Sequence, residues 1–126
     1  ASDAQVERRF GSMLAQRALF GGMARAFEPG AAAGFTGEIV YELSKPATAE
    51  PPVQWTIAVS DHRATARAGG TAEAKITVRY RLADFIRIAA GTIDPAVPLL
   101  EDRASFEGDF ALAARLPEMF GAPSPY

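Results

Sequence analysis

Apolar residues at helical spacing dominate the first part of the chain. Between Val6 and Phe27 the larger apolar side chains recur three, four and seven positions apart, which places them on one face of a helix. Gly21 and Gly22 interrupt this pattern, and each glycine destabilises a helix interior by about 1 kcal/mol relative to alanine. The pattern therefore predicts a helix that breaks at Gly21-Gly22 and continues as a short second helix to Phe27.

Alternation of apolar and polar residues predicts a sheet in the middle of the chain. Four segments show it, at 35–43, 55–59, 64–68 and 76–80. The segment 45–53 contains three prolines and is predicted to be a loop, and Ser60–Arg63 has the polar composition of a hairpin turn. Strands in this order predict an antiparallel meander.

The pattern changes again after the fourth strand. We predict a helix over 82–89, an irregular segment around the prolines of 94–98, a fifth strand over 103–107 and a final helix over 110–120. Pro117 lacks a backbone donor, so the final helix is expected to kink near Leu116. These elements predict an α+β fold, with helices packed on one face of a mostly antiparallel sheet.

Composition fits one domain and excludes several kinds of function. The chain has 126 residues, enough for one hydrophobic core. It has 13 Lys and Arg against 15 Asp and Glu, interspersed along the sequence, so the clustered positive charge of a nucleic-acid binder is missing. Since the chain has no cysteine and one histidine, thiol nucleophiles and metal sites built from Cys or several His are excluded.

Motifs of catalysis and cofactor binding are missing as well. Ser60, Asp61 and His62 are consecutive, and neighbours in one turn cannot converge as the members of a nucleophilic triad do. Gly69-Gly70-Thr71 lacks the Gly-Lys-Ser/Thr of a phosphate-binding loop, and no dinucleotide-binding fingerprint occurs. We therefore expect no enzyme activity, no cofactor and no metal.

Two features indicate the cellular context. No segment approaches the roughly 20 apolar residues of a membrane span, and charged residues are spread through positions 1–20, where a signal peptide has an apolar centre. We expect a cytoplasmic protein without a membrane span. The first residue is Ala1 instead of Met, which fits either a processed protein or part of a longer one.

Large apolar residues are more numerous near the end of the chain than one helix face requires. In the predicted final helix they occupy more than one stripe: Phe110, Leu112, Leu116, Met119 and Phe120. Such a helix is either enclosed by the core or borders an apolar space, and the pattern alone favours the core.

Four motifs in sequence order resemble a known family. They are Trp55-x-Ile-x-Val, Ala74-Lys-Ile-Thr-Val, Asp84-Phe-Ile-Arg-Ile-Ala-Ala-Gly-Thr-Ile-Asp-Pro and Phe106-Glu-Gly-Asp-Phe-Ala-Leu-Ala-Ala-Arg-Leu. In this order they resemble the sterol carrier protein type 2 family over most of the chain. The resemblance implies a single domain over 1–126, with an N-terminal helix at 1–22, a family-like core at 23–121 and a tail at 122–126.

The resemblance also implies an architecture and a function. Members of this family have a five-stranded, mostly antiparallel sheet covered on one face by helices, with an apolar tunnel between sheet and helices. The chain is accordingly expected to bind or transport a lipid or another apolar molecule, such as a fatty acid, acyl-CoA or a sterol, without catalysis. The tunnel walls are predicted to be Trp55, Ile57, Val78, Phe85, Ile88, Leu99, Leu100, Phe106, Leu112, Leu116 and Met119.

A second interpretation of the sequence stays open. The chain is then a non-catalytic accessory or dimerisation domain of a larger protein, with a packed core and no ligand. Its partner would be a covalently linked catalytic domain or a second copy of the chain. Retention of an acyl-sized ligand would separate the first interpretation from the second.

Overall fold

The computed structural model describes residues 2–120, so the predicted tail at 122–126 lies outside the described residues. Three helices come first: α1 (Asp3–Phe10), α2 (Met13–Arg25) and α3 (Pro29–Ala32). Four strands follow: β1 (Gly37–Lys45), β2 (Glu50–Ser60), β3 (Arg63–Ala68) and β4 (Ile76–Arg81). The later elements are α4 (Leu82–Ala89), α5 (Ala96–Leu100), β5 (Ser105–Gly108) and α6 (Phe110–Met119).

The five strands form one sheet in the order β3-β2-β1-β4-β5. At its centre β1 is buried on both faces, since the consecutive residues Ile39, Val40 and Tyr41 are each at most 3% exposed. β1 pairs antiparallel with β2 and parallel with β4. The predicted meander is therefore wrong, whereas the α+β class and the five-stranded, mostly antiparallel sheet are confirmed.

The link between β3 and β4 sets this strand order. Residues 69–75 lead from the β3 edge of the sheet, past β2 and β1, to the far side of β1. On the way the carbonyl oxygen of Gly69 accepts a hydrogen bond from Thr56 Oγ1 (2.7 Å), and Lys75 N donates to the carbonyl oxygen of Glu38 (2.9 Å). Alternation within single strands carries no information on such a crossing.

The two faces of the sheet differ in polarity. The face toward the helices carries the buried apolar residues of alternate positions: Ile39, Tyr41, Leu43, Trp55, Ile57, Val59, Ile76, Val78 and Tyr80. On the opposite face Arg79 forms ion pairs with Glu42 and Glu107, both at 3.2 Å, and Arg67 pairs with Glu38. Exposed pairs each contribute about 0 to 1 kcal/mol, so burial of the apolar face is the larger source of stability.

The hairpin turn predicted at Ser60–Arg63 is confirmed. β2 ends at Ser60 and β3 begins at Arg63. The central residues Asp61 (φ 51°) and His62 (φ 63°) are both left-handed, which is typical of a type I′ turn whose twist matches that of paired strands. His62 is exposed in this turn.

The first helical segment breaks earlier than predicted, at Gly11-Ser12 and not at Gly21-Gly22. Ser12 caps the second helix, because its Oγ accepts a hydrogen bond from a backbone N–H of the first turn (3.1 Å). A Cβ on Gly11 would lie 2.5 Å from the carbonyl oxygen of Glu7, a contact that only glycine avoids. The break therefore follows from a close approach of backbone atoms and from a cap.

Packing outweighs the low helix propensity of Gly21 and Gly22, and α2 continues through both. The preceding side chain, Phe20, is fully buried and lies nearly parallel to the Trp55 ring, with 5.2 Å between the ring centroids. Burial of a phenylalanine stabilises by roughly 1.5 to 3 kcal/mol. This gain offsets the cost of the two glycines.

Prolines occur inside elements that were predicted to exclude them. Pro98 lies in the first turn of α5, where a backbone N–H has no helical partner. Pro51 and Pro52 lie in β2, where its register against β1 shifts and where β3 no longer pairs with it. The predicted irregular segment at 94–98 is therefore wrong from residue 96 onward, and the predicted loop at 45–53 is wrong at residue 45 and from residue 50 onward.

Two buried polar side chains join α1 and α2 to the sheet. The Glu7 carboxylate accepts hydrogen bonds from Ala47 N (3.1 Å), Thr48 N (3.0 Å) and Thr48 Oγ1 (2.9 Å). The Gln16 amide donates to two carbonyl oxygens of the α1–α2 turn, and its Oε1 accepts from Trp55 Nε1 (3.0 Å). Both buried polar groups thus have partners, as their desolvation requires.

Alanine substitutions test why the helix breaks where it does. Gly21→Ala and Gly22→Ala are each expected to stabilise the protein by about 1 kcal/mol, because a Cβ at either site meets no described atom closer than 3.5 Å. Gly11→Ala is the matched control and is expected to destabilise it, because of the 2.5 Å approach to Glu7. Urea unfolding followed by Trp55 emission measures all three. Destabilisation at position 21 or 22 would contradict this account of α2.

Candidate functional site

A cavity of about 480 Å³ lies between the inward face of the sheet and helices α4, α5 and α6. This volume falls within the roughly 300 to 1,000 Å³ of small-molecule sites. The wall is formed mainly by apolar side chains from several elements. The cavity is therefore suited to an apolar molecule.

One half of the sheet forms one side of the cavity. Tyr41 of β1, Val78 and Tyr80 of β4, and Phe106 of β5 line it. Tyr41 is paired with Val78 and Val78 with Phe106, so the three side chains stand side by side across three strands. The other half of the sheet, β2 and β3, is covered by α2 instead.

The helices form the remaining wall. Phe85 and Ile88 come from α4, Leu99 from α5, and Ala113 and Leu116 from α6. Phe85 and Ile88 are three positions apart, as are Ala113 and Leu116, so each pair lies on one face of its helix. The side chains on these faces enclose the cavity opposite the sheet.

Local hydrogen bonds fix the helices beside the cavity. Asp94 Oδ1 accepts from Ala96 N (2.8 Å) at the start of α5, and Asp109 Oδ1 accepts from Leu112 N (3.1 Å) at the start of α6. Pro117 lies inside α6 and in the cavity wall, and the helix continues beyond it to Met119. Since proline has no backbone N–H, the α6 turn at Pro117 lacks one helical hydrogen bond.

A buried ion pair holds the segment after α5 against α4. The Asp84 side chain is 5% exposed, and its Oδ2 lies 3.0 Å from Arg103 Nε. Arg103 also pairs with Glu101. The same guanidinium thus joins the first turn of α4 to the chain between α5 and β5.

Aromatic rings of the cavity wall pack against aromatic rings of the core. The Phe85 ring centroid lies 5.4 Å from that of Tyr41 and 6.0 Å from that of Tyr80. Phe20 lies 5.6 Å from Phe85 and 5.2 Å from Trp55. Trp55 is therefore separated from the cavity by the rings of Phe20 and Phe85.

Tyr41 and Tyr80 each contribute a hydroxyl group to the part of the wall that the sheet forms, which is the inner wall of the cavity. Burial, and after it the charges of Asp84 and Asp94, raises the pKa of Tyr80 to about 12. Burial raises the pKa of Tyr41 as well, and Tyr80 adds a smaller effect. Tyr80 Oη donates a hydrogen bond to the carbonyl oxygen of Pro95 (3.3 Å). Both tyrosines are therefore uncharged at physiological pH.

The eleven predicted wall residues divide into three groups. Six of them line the cavity: Val78, Phe85, Ile88, Leu99, Phe106 and Leu116. Leu100 lies outside the wall and is 83% exposed. The other four are buried in the core away from the wall: Trp55, Ile57, Leu112 and Met119.

The sequence prediction also missed residues of the wall. Met23, Tyr41, Tyr80, Phe110 and Phe120 line the cavity as well. Alternation placed Tyr41 and Tyr80 on the inward face of the sheet, so a signal for these two existed. Alternation did not show that β1 lies beside β4, and this pairing brings the two tyrosines to one cavity.

Two further findings concern residues 2–120. No helix in this part of the chain combines the length and the apolar character that crossing a membrane requires. In the same residues no group of three or more Asp, Glu or His side chains is arranged to hold a metal ion.

Comparison with known proteins gives a family match. A family model described as the SCP-2 sterol transfer family matches residues 24–121. No curated protein sequence matches the chain. The family match covers the sheet, α3 to α6 and the end of α2, and thus nearly the whole cavity wall.

Solved structures share the fold at low sequence identity. Sterol carrier protein 2 like 2 from Aedes aegypti is 23% identical, with a TM-score of 0.64 over 82% of this chain and 93% of that one. The palmitated form of that protein is 21% identical, with a TM-score of 0.66 over 86% of this chain and 94% of that one. The stereoselective inverting sec-alkylsulfatase Pisa1 from Pseudomonas sp. is 16% identical, with a TM-score of 0.64. The match covers 82% of this chain and only 16% of the sulfatase.

The buried tyrosines predict a loss of stability at high pH. The unfolded chain releases a tyrosine proton near pH 10, whereas folded Tyr80 holds its proton to about pH 12 and burial raises the pKa of Tyr41 too. The two tyrosines therefore contribute their full stabilisation below pH 10. Between pH 10 and 12 the free energy of unfolding falls by up to about 1.4 kcal/mol per pH unit for each tyrosine. Urea unfolding at several pH values measures it.

The double variant Tyr41→Phe/Tyr80→Phe is the control for this experiment. It removes both titrating hydroxyls and should lose most of the pH dependence in that interval. An equal slope in the variant and the parent protein would show that other groups cause the alkaline destabilisation.

Proposed function

The chain belongs to the SCP-2 sterol transfer family, and on this premise we propose that it binds a lipid or another apolar molecule in the cavity between its sheet and helices α4 to α6. The observation that carries the proposal is the cavity of about 480 Å³ with its mainly apolar wall. Transfer of apolar surface from water into such a cavity is favourable by about 25 cal/mol per Å². The ligand is held by burial and not by ionic contacts.

The proposed contacts come from the central part of the wall. Val78 and Phe106 would contact the ligand from the sheet, and Phe85, Leu99 and Leu116 from the three helices. These side chains are buried or half-buried and carry no polar atoms. They provide shape and apolar surface, and so permit a range of apolar ligands.

We propose that the ligand enters between α5 and α6. Phe110 lines the cavity but is 69% exposed, and Ala96, Ala114 and Glu118 are exposed residues of the same wall. The exposed part of the wall marks the mouth of the cavity. Because Pro117 removes a hydrogen bond from α6 beside this mouth, opening of α6 there costs less than opening of an uninterrupted helix.

We propose a carrier without chemistry. The carboxylates of the wall, Asp94 and Glu118, are both exposed at the mouth, and Asp94 Oδ1 is occupied by the backbone of α5. The tyrosine hydroxyls are too weakly acidic to act as general acids or bases near pH 7. His62 lies in the β2–β3 turn and not in the cavity wall.

The match to the sec-alkylsulfatase favours a second context for the same site. The chain corresponds to 16% of that enzyme, so this fold occurs there as one part of a larger protein. A lipid-binding domain joined to a catalytic domain is therefore an alternative to an independent carrier. The cavity favours ligand binding in either context over a packed domain without a ligand.

A cavity-filling variant tests the proposal. Nile red, an uncharged apolar dye, should bind the parent protein saturably with a rise in emission. Ala113→Phe places a ring at the cavity wall and should weaken this binding at least tenfold, because the added side chain occupies the ligand volume. Ala111→Phe is the matched control on the same helix, at an exposed position outside the wall, and should bind the dye as the parent protein does.

Stability measurements make the result unambiguous. Urea unfolding should show that Ala113→Phe keeps the stability of the parent protein or exceeds it, since apolar volume is added to a cavity. Undiminished dye binding by a folded Ala113→Phe protein would place the ligand elsewhere. Absence of saturable binding by the parent protein would reject the proposed function.

A further inference from the structure

The Tyr41 hydroxyl is an unpaired polar group at the cavity. Tyr41 is 3% exposed and lines the inner wall. Its hydroxyl makes no hydrogen bond with any residue of the described range 2–120. In that range every side-chain nitrogen or oxygen that is fully enclosed by protein has a hydrogen-bond partner. The hydroxyl is therefore not enclosed by protein, and the cavity is the open space that its side chain borders. It can donate a hydrogen bond to a ligand.

The Tyr80 hydroxyl can accept a hydrogen bond, whereas the Tyr41 hydroxyl can donate one. Its proton is donated to the carbonyl oxygen of Pro95 (3.3 Å), which leaves its oxygen free to accept. Tyr41 is paired with Val78, two residues before Tyr80 on the adjacent strand, so the two tyrosines are diagonal neighbours on one face. Their rings both contact Phe85. One hydrogen-bond donor and one acceptor thus lie on adjacent strands of the same wall.

The charged side chains of the described wall are acidic. Asp94 and Glu118 lie in it, whereas Asp84, whose charge also acts on Tyr80, is paired with Arg103 (3.0 Å). Among the described residues of the wall no Lys, Arg or His occurs. A carboxylate or phosphate in the cavity would lose its hydration without gaining a counter-ion, which is costly.

We propose that the hydroxyls of Tyr41 and Tyr80 form a subsite for the hydroxyl group of an uncharged lipid alcohol, and that the cavity discriminates against anionic lipids of the same chain length. The inference rests on the proposed function of the cavity. The ligand hydroxyl would accept a hydrogen bond from Tyr41 and donate one to Tyr80, which uses both of its functions. An anionic headgroup can only accept hydrogen bonds, and the described residues of the wall include no cation to pair with it.

Three probes of equal chain length test this headgroup preference. Hexadecane, hexadecanol and hexadecanoate, delivered from cyclodextrin at about pH 8, where the carboxyl group is ionised, compete with Nile red for the full chain. We expect hexadecanol to bind at least tenfold more tightly than hexadecanoate. Tyr41→Phe should weaken hexadecanol binding about three- to tenfold relative to hexadecane binding, which is the effect of one hydrogen bond.

Two further variants separate the headgroup from the chain. Tyr80→Phe should also weaken hexadecanol selectively, because it removes the acceptor. Leu99→Ala removes apolar wall and should weaken all three probes by a similar factor. Urea unfolding confirms that each variant is folded, and the probe ratio of the parent protein tests the proposal without any substitution.

Different outcomes would overturn the headgroup subsite and the proposed function. Equal affinity for hexadecanol and hexadecanoate, or unchanged hexadecanol binding by Tyr41→Phe, would overturn the headgroup subsite while lipid binding stands. If the parent protein does not bind Nile red or any of the three probes, the proposed function and the subsite are both overturned.

Discussion

The contact of Phe20 with two other rings determines how the interior of this domain is divided. Phe20 of α2 lies nearly parallel to Trp55 of β2 and to Phe85 of α4, at 5.2 and 5.6 Å. Phe20 and Trp55 are buried away from the cavity, whereas Phe85 lines it. The β2–β3 half of the sheet is therefore covered by α2, and the cavity of about 480 Å³ lies on the side of β1, β4 and β5. Since Phe85 also contacts Tyr41 and Tyr80, this contact connects the packed half to the cavity wall.

Polar groups in the interior follow one rule with one informative exception. Glu7, Gln16 and Asp84 are buried and each has hydrogen-bond partners that join separate elements. The Tyr41 hydroxyl has none in the described range, and it lies at the cavity. Because this hydroxyl is not enclosed by protein, a ligand in the cavity can supply its hydrogen-bond partner, which is the basis for the proposed subsite.

The structural relatives place the same fold in two contexts. It makes up nearly all of the Aedes aegypti sterol carrier protein 2 like 2 and about a sixth of the Pseudomonas sec-alkylsulfatase. The cavity wall described for residues 2–120 is formed by the sheet and helices of this one domain, so ligand binding by the cavity is compatible with either context.

Local patterns in the sequence determined the strands, the inward positions of Tyr41 and Val78, the β2–β3 turn and the helix that carries Phe85, since side-chain alternation and turn chemistry depend on near neighbours. The resemblance to the family supplied the expectation of an apolar tunnel between sheet and helices. Only the tertiary structure decided that β4 lies parallel to β1, that the first helix breaks at Gly11, and that Trp55 and Ile57 are covered while Val78 on the same face is open to the cavity. These features depend on contacts between residues far apart in the chain, such as Phe20 with Trp55 and Phe85, which no local pattern encodes.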